Sequence, residues 1–345
     1  MKKYVDYAVK TACELLAIDS PSGFTDGAIR YADSEFAAMG FKTTITNKGG
    51  LLVDLGGEAT SEGALLLEAH TDTLGCMVAE VKSNGRLRLT NLGGMRAENA
   101  ECENARVYTR YGNIIEGTLQ LINPSIHVNT SYGDTKRTFD TTELVLDEDV
   151  NSADETKMLG IDVGDIVAFE PRTCVTSSGY IKSRFLDDKL SCGILLGIAK
   201  MINEDKLTLN RKTYVHFTVY EEVGHGGSSS VPADVTEAIS VDMGCVGAGL
   251  NCTEKQVSIC TKDSRGPYNY SLVTRLVNAA KAANADYALD VYPAYGSDVE
   301  ATLAAGYDVR HGLIGPGVYA SHGYERSHVD GVRNTMLLLN QFLSE

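Results

Sequence analysis

Apolar residues Val5, Ala8, Val9, Ala12, Leu15 and Leu16 recur at helical spacing, which predicts an amphipathic opening helix. A second helical pattern covers 26–39 and stops at Gly40. Residues 42–46 and 51–55 alternate like hairpin strands about Asn47-Lys48-Gly49-Gly50. The run 64–69 is almost wholly apolar, as in a strand covered on both faces, and it ends in His70-Thr71-Asp72. From Cys76 to about Ser178 the texture changes to short alternating segments separated by turn residues: 77–82, 86–90, 106–111, 118–122, 142–146 and 165–169. These predict an inserted all-β, barrel-like domain over 76–178, with the polar stretch 125–156 expected as a mobile loop.

Beyond 179, strands and helices alternate again. Asp187-Asp188 precedes an apolar helix predicted over 190–201, and the strand-like run 213–220 leads into Glu221-Glu222. Val231-Pro232-Ala233-Asp234 predicts the start of a short helix, and 238–244 is a buried strand with Asp242 near its end. Further strands are expected at 257–262, 287–292 and 309–314, and helices at 270–283, 298–305 and 329–343. This alternation predicts an α/β domain formed by 1–75 and 179–345, a mainly parallel sheet flanked by helices. At 345 residues the chain is longer than one core ordinarily organises, in keeping with a two-part division.

Charge narrows the partners. Lys and Arg total 31 against 46 Asp and Glu, a net charge of −15 that repels nucleic acid and anionic membrane surfaces and favours cations. Asp6, Lys10 and Glu14 interrupt any apolar signal-peptide core, and no stretch reaches the length of a membrane span, so a cytoplasmic location is expected. The eight cysteines show no Cys-x-x-Cys pair and read as reduced, mostly packed thiols.

The chemistry lies at the ends of predicted strands, where open α/β sheets place their ligands. His70-x-Asp72, Glu221-Glu222 and Asp242 all sit there. Each alone has an ordinary explanation: a core histidine beside a capping Asp, a solvated turn, and, for Asp187-Asp188, a helix N-cap. An N-cap accounts for one of two aspartates, and the other is free to bridge two ions. Neighbours on a strand face opposite sides, so Glu221 and Glu222 are expected to divide the work, one holding a metal and the other handling protons. A metal-bound imidazole usually donates its second N–H to a carboxylate, and Asp72 is spaced to receive it from His70. Together with the late His322, these residues supply enough nitrogen and oxygen ligands for two divalent ions. Zinc or cobalt suits such mixed ligation better than magnesium, and the chemistry of a two-metal site points to amide hydrolysis.

The ordered series His70-x-Asp72, Asp187-Asp188, Glu221-Glu222, Val241-Asp242 and a late histidine resembles the tetrahedral aminopeptidases, the glutamyl-aminopeptidase and cellulase-M-like family of co-catalytic metallopeptidases. The likeness covers nearly the whole chain. It implies one metal on His70 and Asp242 and a second on Glu222 and His322, with Asp187 bridging them. It further implies Glu221 as general base, Asp72 orienting His70, and a cis peptide after Asp187. Zinc, with cobalt or manganese as alternatives, short peptide substrates and a dodecamer assembled through the β insertion complete the expectation. His328 rivals His322 as last ligand; His322 is preferred because the preceding strand delivers it to the site. Lys189, where the family often has arginine, and the continuation Val223-Gly224-His225-Gly226-Gly227 depart from the pattern and are expected to alter substrate preference. Ser297-Asp298 resembles a family Thr-Asp segment near the substrate site, although a helix N-cap explains Asp298 equally well. The rival functions are a related metal-dependent deacylase or dipeptidase, and a non-catalytic assembly protein that has kept the fold.

Overall fold

The computed structural model describes residues 1–345. Four strands that are buried along most of their length form the parallel centre of a large sheet, in the order Thr213–Thr218, Ala64–His70, Val235–Val241 and Arg310–Tyr319. The hairpin Lys42–Ile45 and Leu51–Gly56 flanks one side, its second strand antiparallel to Thr213–Thr218. On the other side Val257–Lys262 runs antiparallel to Arg310–Tyr319 and parallel to Tyr287–Val291. The sheet is therefore mixed, with its parallel part at the centre, where continuous apolar runs can be covered on both faces.

The strand Arg310–Tyr319 is longer than the expected 309–314, because Gly315-Pro316-Gly317 continues it rather than ending it. Gly315 makes this possible: a Cβ there would lie 1.7 Å from the Asp242 carbonyl oxygen. Its far half pairs with Gly244–Val246 and Glu325–His328, and Tyr180–Ser183 and Cys174–Val175 follow in turn. Six strands between Gly75 and Phe169 close into an antiparallel barrel. Inward residues such as Val78, Leu89, Val107, Leu119, Leu144 and Val167 belong to one apolar cluster of 74 buried residues that also contains the core of the α/β body. The barrel is thus packed onto that body rather than tethered to it.

Two local expectations are corrected. Val231-Pro232-Ala233-Asp234 forms a turn, with the Val235 N–H bonded to the Pro232 carbonyl at 3.1 Å, and leads straight into a strand instead of a helix. The stretch 125–156 is not all loop. Ser152 caps a helix, Ala153–Met158, by accepting the Glu155 N–H at 3.3 Å, while Glu155 reaches back to the Asn151 N–H at 2.6 Å. That reciprocal Ser-x-x-Glu pattern was present in the sequence as a start signal. No helix is long and apolar enough to cross a membrane.

Candidate metal centre

Sheet register assembles the site. Thr218 pairs with His70 and Ser240 with Glu68, which brings Asp242 level with His70 and aims the chain beyond Thr218 at the same place. Asp187 enters from the start of the helix Leu186–Asn203, through a cis Asp187–Asp188 peptide. His322 arrives on the turn after Arg310–Tyr319. Phe185, Tyr220 and His322 all take left-handed φ values, of 69°, 71° and 64°. Such conformations cost non-glycine residues about 1–3 kcal/mol each and concentrate at functional sites.

The Asp187 carboxylate lies between the two imidazoles. Its Oδ1 is 3.0 Å from His70 Nε2 and its Oδ2 is 3.4 Å from His322 Nε2. His322 Nε2 also faces Glu222 Oε2 at 3.7 Å, and Glu221 Oε2 is 3.7 Å from His70 Nε2. Asp187, Glu221, Glu222, Asp242 and His322 line a cavity of about 600 Å³, with His70 buried beneath it. All seven residues singled out from the sequence meet here, and the rival His328 does not. It caps the last helix, its Nδ1 accepting the Asp330 N–H at 3.0 Å while Nε2 faces the Ser178 carbonyl at 2.9 Å.

Several supporting contacts differ from expectation. Glu221 and Glu222 lie on a short 3₁₀ turn, Glu221–Val223, so they diverge through the turn and not through strand alternation. His70 Nδ1 is 2.9 Å from the backbone carbonyl of Asp72, whose carboxylate is farther away at 3.7 Å. That carboxylate instead accepts the N–H groups of Glu221 and Glu222 at 3.1 and 3.3 Å and the Ser22 hydroxyl at 2.5 Å. Asp72 therefore fixes the turn that carries both glutamates, while its main chain orients His70. Asp187 and Asp188 have non-helical dihedrals, and the regular helix begins only beyond this kink. Asp188 is fully buried, accepts the His70 N–H at 3.3 Å, and lies in a second potential ligand group with His70 and Asp242.

Other contributors escaped the sequence reading. Glu325 accepts the Asp187 N–H at 3.0 Å and the His322 N–H at 2.9 Å, one per carboxylate oxygen. Asn99, from the inserted segment, donates to the His322 carbonyl at 2.7 Å, and Gly94 packs so closely that a Cβ would lie 2.4 Å from His322 Nδ1. Lys48 Nζ donates to the carbonyls of His225 and Gly226, the latter at 2.7 Å, and to Ser228 Oγ at 3.0 Å, so the departing loop is held by a cation. Lys189, the other departure, points away from the cavity. It donates to the Leu15 and Ile18 carbonyls at 3.0 and 2.6 Å, at the C-terminal end of the opening helix, and is not a substrate contact.

Electrostatics supply the test of a metal site. Burial pushes Glu221 and Glu222 well above the usual carboxylate range and Asp242 up to about 7, with neighbouring acids adding to each. Burial works the same way on Asp187, but hydrogen bonds from His322 and His70 outweigh it and hold this carboxyl low. The Asp187 hydrogen bond raises His322 to about 9 against the effect of burial. Asp188 Oδ1 is buried without a partner. Crowded carboxylates and imidazoles that make no ion pair with a lysine or arginine, although Arg96 and Arg265 line the same cavity, suit divalent cations, whose charge offsets the like-charge repulsion. The donor set fits the metals expected of it.

A profile of the M42 glutamyl aminopeptidase family matches residues 49–338. YhfE of Bacillus subtilis (strain 168) is 42% identical over 330 residues, 96% of this chain and 95% of that protein. An aminopeptidase from the archaeon Desulfurococcus kamchatkensis superposes with a TM-score of 0.87 at 20% identity, over 99% of this chain and 95% of its own. The TET1 peptidase of Pyrococcus horikoshii superposes with a TM-score of 0.84 at 20% identity, over 98% of this chain and 99% of its own. The match over most of the length, set on a fold and a ligand cluster of this kind, means that the chain belongs to the M42 glutamyl aminopeptidase family and is an exopeptidase.

Proposed function

We propose that the protein is a two-metal aminopeptidase that removes N-terminal residues from short peptides. The observation that carries this reading is the Asp187 carboxylate set between His70 and His322, with Glu221 and Glu222 each facing a different imidazole. His70 and Asp242 would hold one ion, Glu222 and His322 the other, and Asp187 would serve both. Zinc suits the imidazole and carboxylate donors, with cobalt or manganese as alternatives. Two such ions supply Lewis acidity toward the scissile carbonyl and acidify water.

The side chains divide the remaining work. Glu221 lines the cavity, takes a proton from the attacking water and returns it to the leaving amine. Asp72 fixes Glu221 through its backbone N–H, and Glu325 fixes Asp187 and His322 in the same manner. Glu221→Gln tests the assignment: the metals remain bound, and turnover of an aminoacyl anilide falls about 10²–10⁴-fold. Substantial residual turnover at full metal content would remove Glu221 as the base. Self-association belongs to the same reading. Exposed Ile114, Ile122, Ile126 and Val128, 54%, 47%, 64% and 73% accessible, lie in the barrel or its adjoining loop, and the Pyrococcus horikoshii TET1 peptidase is described as assembling into a tetrahedron or a large octahedral shell.

A further inference from the structure

One wall of the catalytic cavity takes no part in the chemistry assigned above. It is formed around Glu300, in the first turn of the helix Asp298–Ala304, and around Arg265 and Gly296. Glu300 is only 8% exposed. Its carboxyl lies against that of Asp263, which itself accepts the N–H groups of Arg265 and Gly266 at 2.9 and 3.3 Å and the Tyr268 hydroxyl at 2.6 Å. Glu300 Oε2 is buried with no N–H or O–H donor bonded to it. Asp298 repeats the pattern: Oδ2 accepts the Thr218 hydroxyl at 2.5 Å, and Oδ1 has no partner. Burial pushes Glu300 up to about 8 and Asp298 up to about 7, with a neighbouring acid contributing to each.

Unpartnered buried carboxylate oxygens are costly, and the group that satisfies them is a cation rich in N–H donors. Arg265 does not fill this role. Its Nε is 3.5 Å from Glu300 Oε2 and its side chain is 58% exposed, the geometry of a weak surface pair that solvent screens. Gly296 leaves the approach open, since a Cβ there would stand 3.3 Å from Oε2. We propose that Glu300, supported by Asp298, selects peptides whose N-terminal side chain is cationic, lysine or arginine. The inference rests on the aminopeptidase reading and adds its substrate class.

The test uses the full-length, zinc-loaded enzyme and the p-nitroanilides of lysine, arginine, leucine and glutamate. The cationic substrates are expected to exceed leucine and glutamate in kcat/KM by about tenfold or more, the scale of a hydrogen bond to a charged group. Glu300→Gln should lower kcat/KM for the lysine substrate about tenfold more than for the leucine substrate. Without any substitution, free lysine should inhibit hydrolysis of the leucine substrate more strongly than its uncharged analogue norleucine does. A preference for glutamate would pass the role to Arg265 and overturn the proposal. So would a lysine-to-leucine ratio unchanged by Glu300→Gln, or equal inhibition by lysine and norleucine. Loss of all four activities would overturn the aminopeptidase reading, and this inference with it.

Discussion

Glu325→Gln isolates the part of the centre that acts through the backbone. The wild-type carboxylate is buried and uses one oxygen for the Asp187 N–H, at 3.0 Å, and the other for the His322 N–H, at 2.9 Å. Glutamine keeps the shape but can accept at only one of the two, and its amide then confronts the other N–H donor to donor. Burial and the nearby Asp187 push Glu325 up to about 8, so the comparison is made above that pH, where a lost hydrogen bond to a charged group is worth about 1.5–3 kcal/mol. Because Asp187 and His322 are two of the residues proposed to hold metal, the loss falls on their alignment, and at 1.4 kcal/mol per decade it corresponds to roughly 10–100-fold weaker metal binding. The same range applies to residues that orient metal ligands. Titrating metal-free protein with zinc against a competing chelator measures it directly, and peptidase activity at saturating zinc should largely return. Wild-type zinc affinity in Glu325→Gln would refute the positioning role.

Lys48→Met should lower kcat while leaving bound metal in place, because the ammonium holds the carbonyls of His225 and Gly226 beyond the turn that bears Glu221; Lys48→Arg should recover part of the loss, and metal content measured with steady-state kinetics checks both. Glu237 is fully buried against Arg211, Arg275 and Arg310, so Glu237→Ala leaves the buried Arg211 unneutralised and should cost about 3–5 kcal/mol in urea unfolding. Burial lowers His216 from 6.5 to about 4. The unfolded chain then takes up a proton near pH 6.5 that the folded protein refuses until about pH 4, so its contribution is complete above pH 6.5 and lost as pH falls through that window. The loss approaches about 3 kcal/mol, and His216→Gln should flatten this acid limb of a stability profile.

The sequence was most readable where residue types carry chemistry by themselves. Apolar strands ending in His70, Glu221-Glu222 and Asp242 could be ordered along the chain, and parallel register turned that order into proximity. Residues that act by hydrogen-bonding to another residue's backbone leave no such signal. Glu325 sits within Tyr324-Glu325-Arg326, an ordinary polar run, and its value appears only when Asp187, 138 positions away, folds back to it. Asp72 meets His70 through its carbonyl while its carboxylate holds the following turn, because strand spacing reports direction and not the turn that follows. Val231-Pro232 misled because proline suits both the first turn of a helix and a β-turn, and only the strand immediately beyond decides between them.

The hold that Asn99 and Gly94 have on His322 bears on what counts as the smallest working unit of this protein. A version trimmed of the barrel would retain every residue proposed to bind metal and would still lack part of the cradle for one of them. Dependence of that kind runs in both directions. To the extent that occupancy at His322 tightens the contact with Asn99, the same free energy tightens whatever arrangement of the barrel favours it.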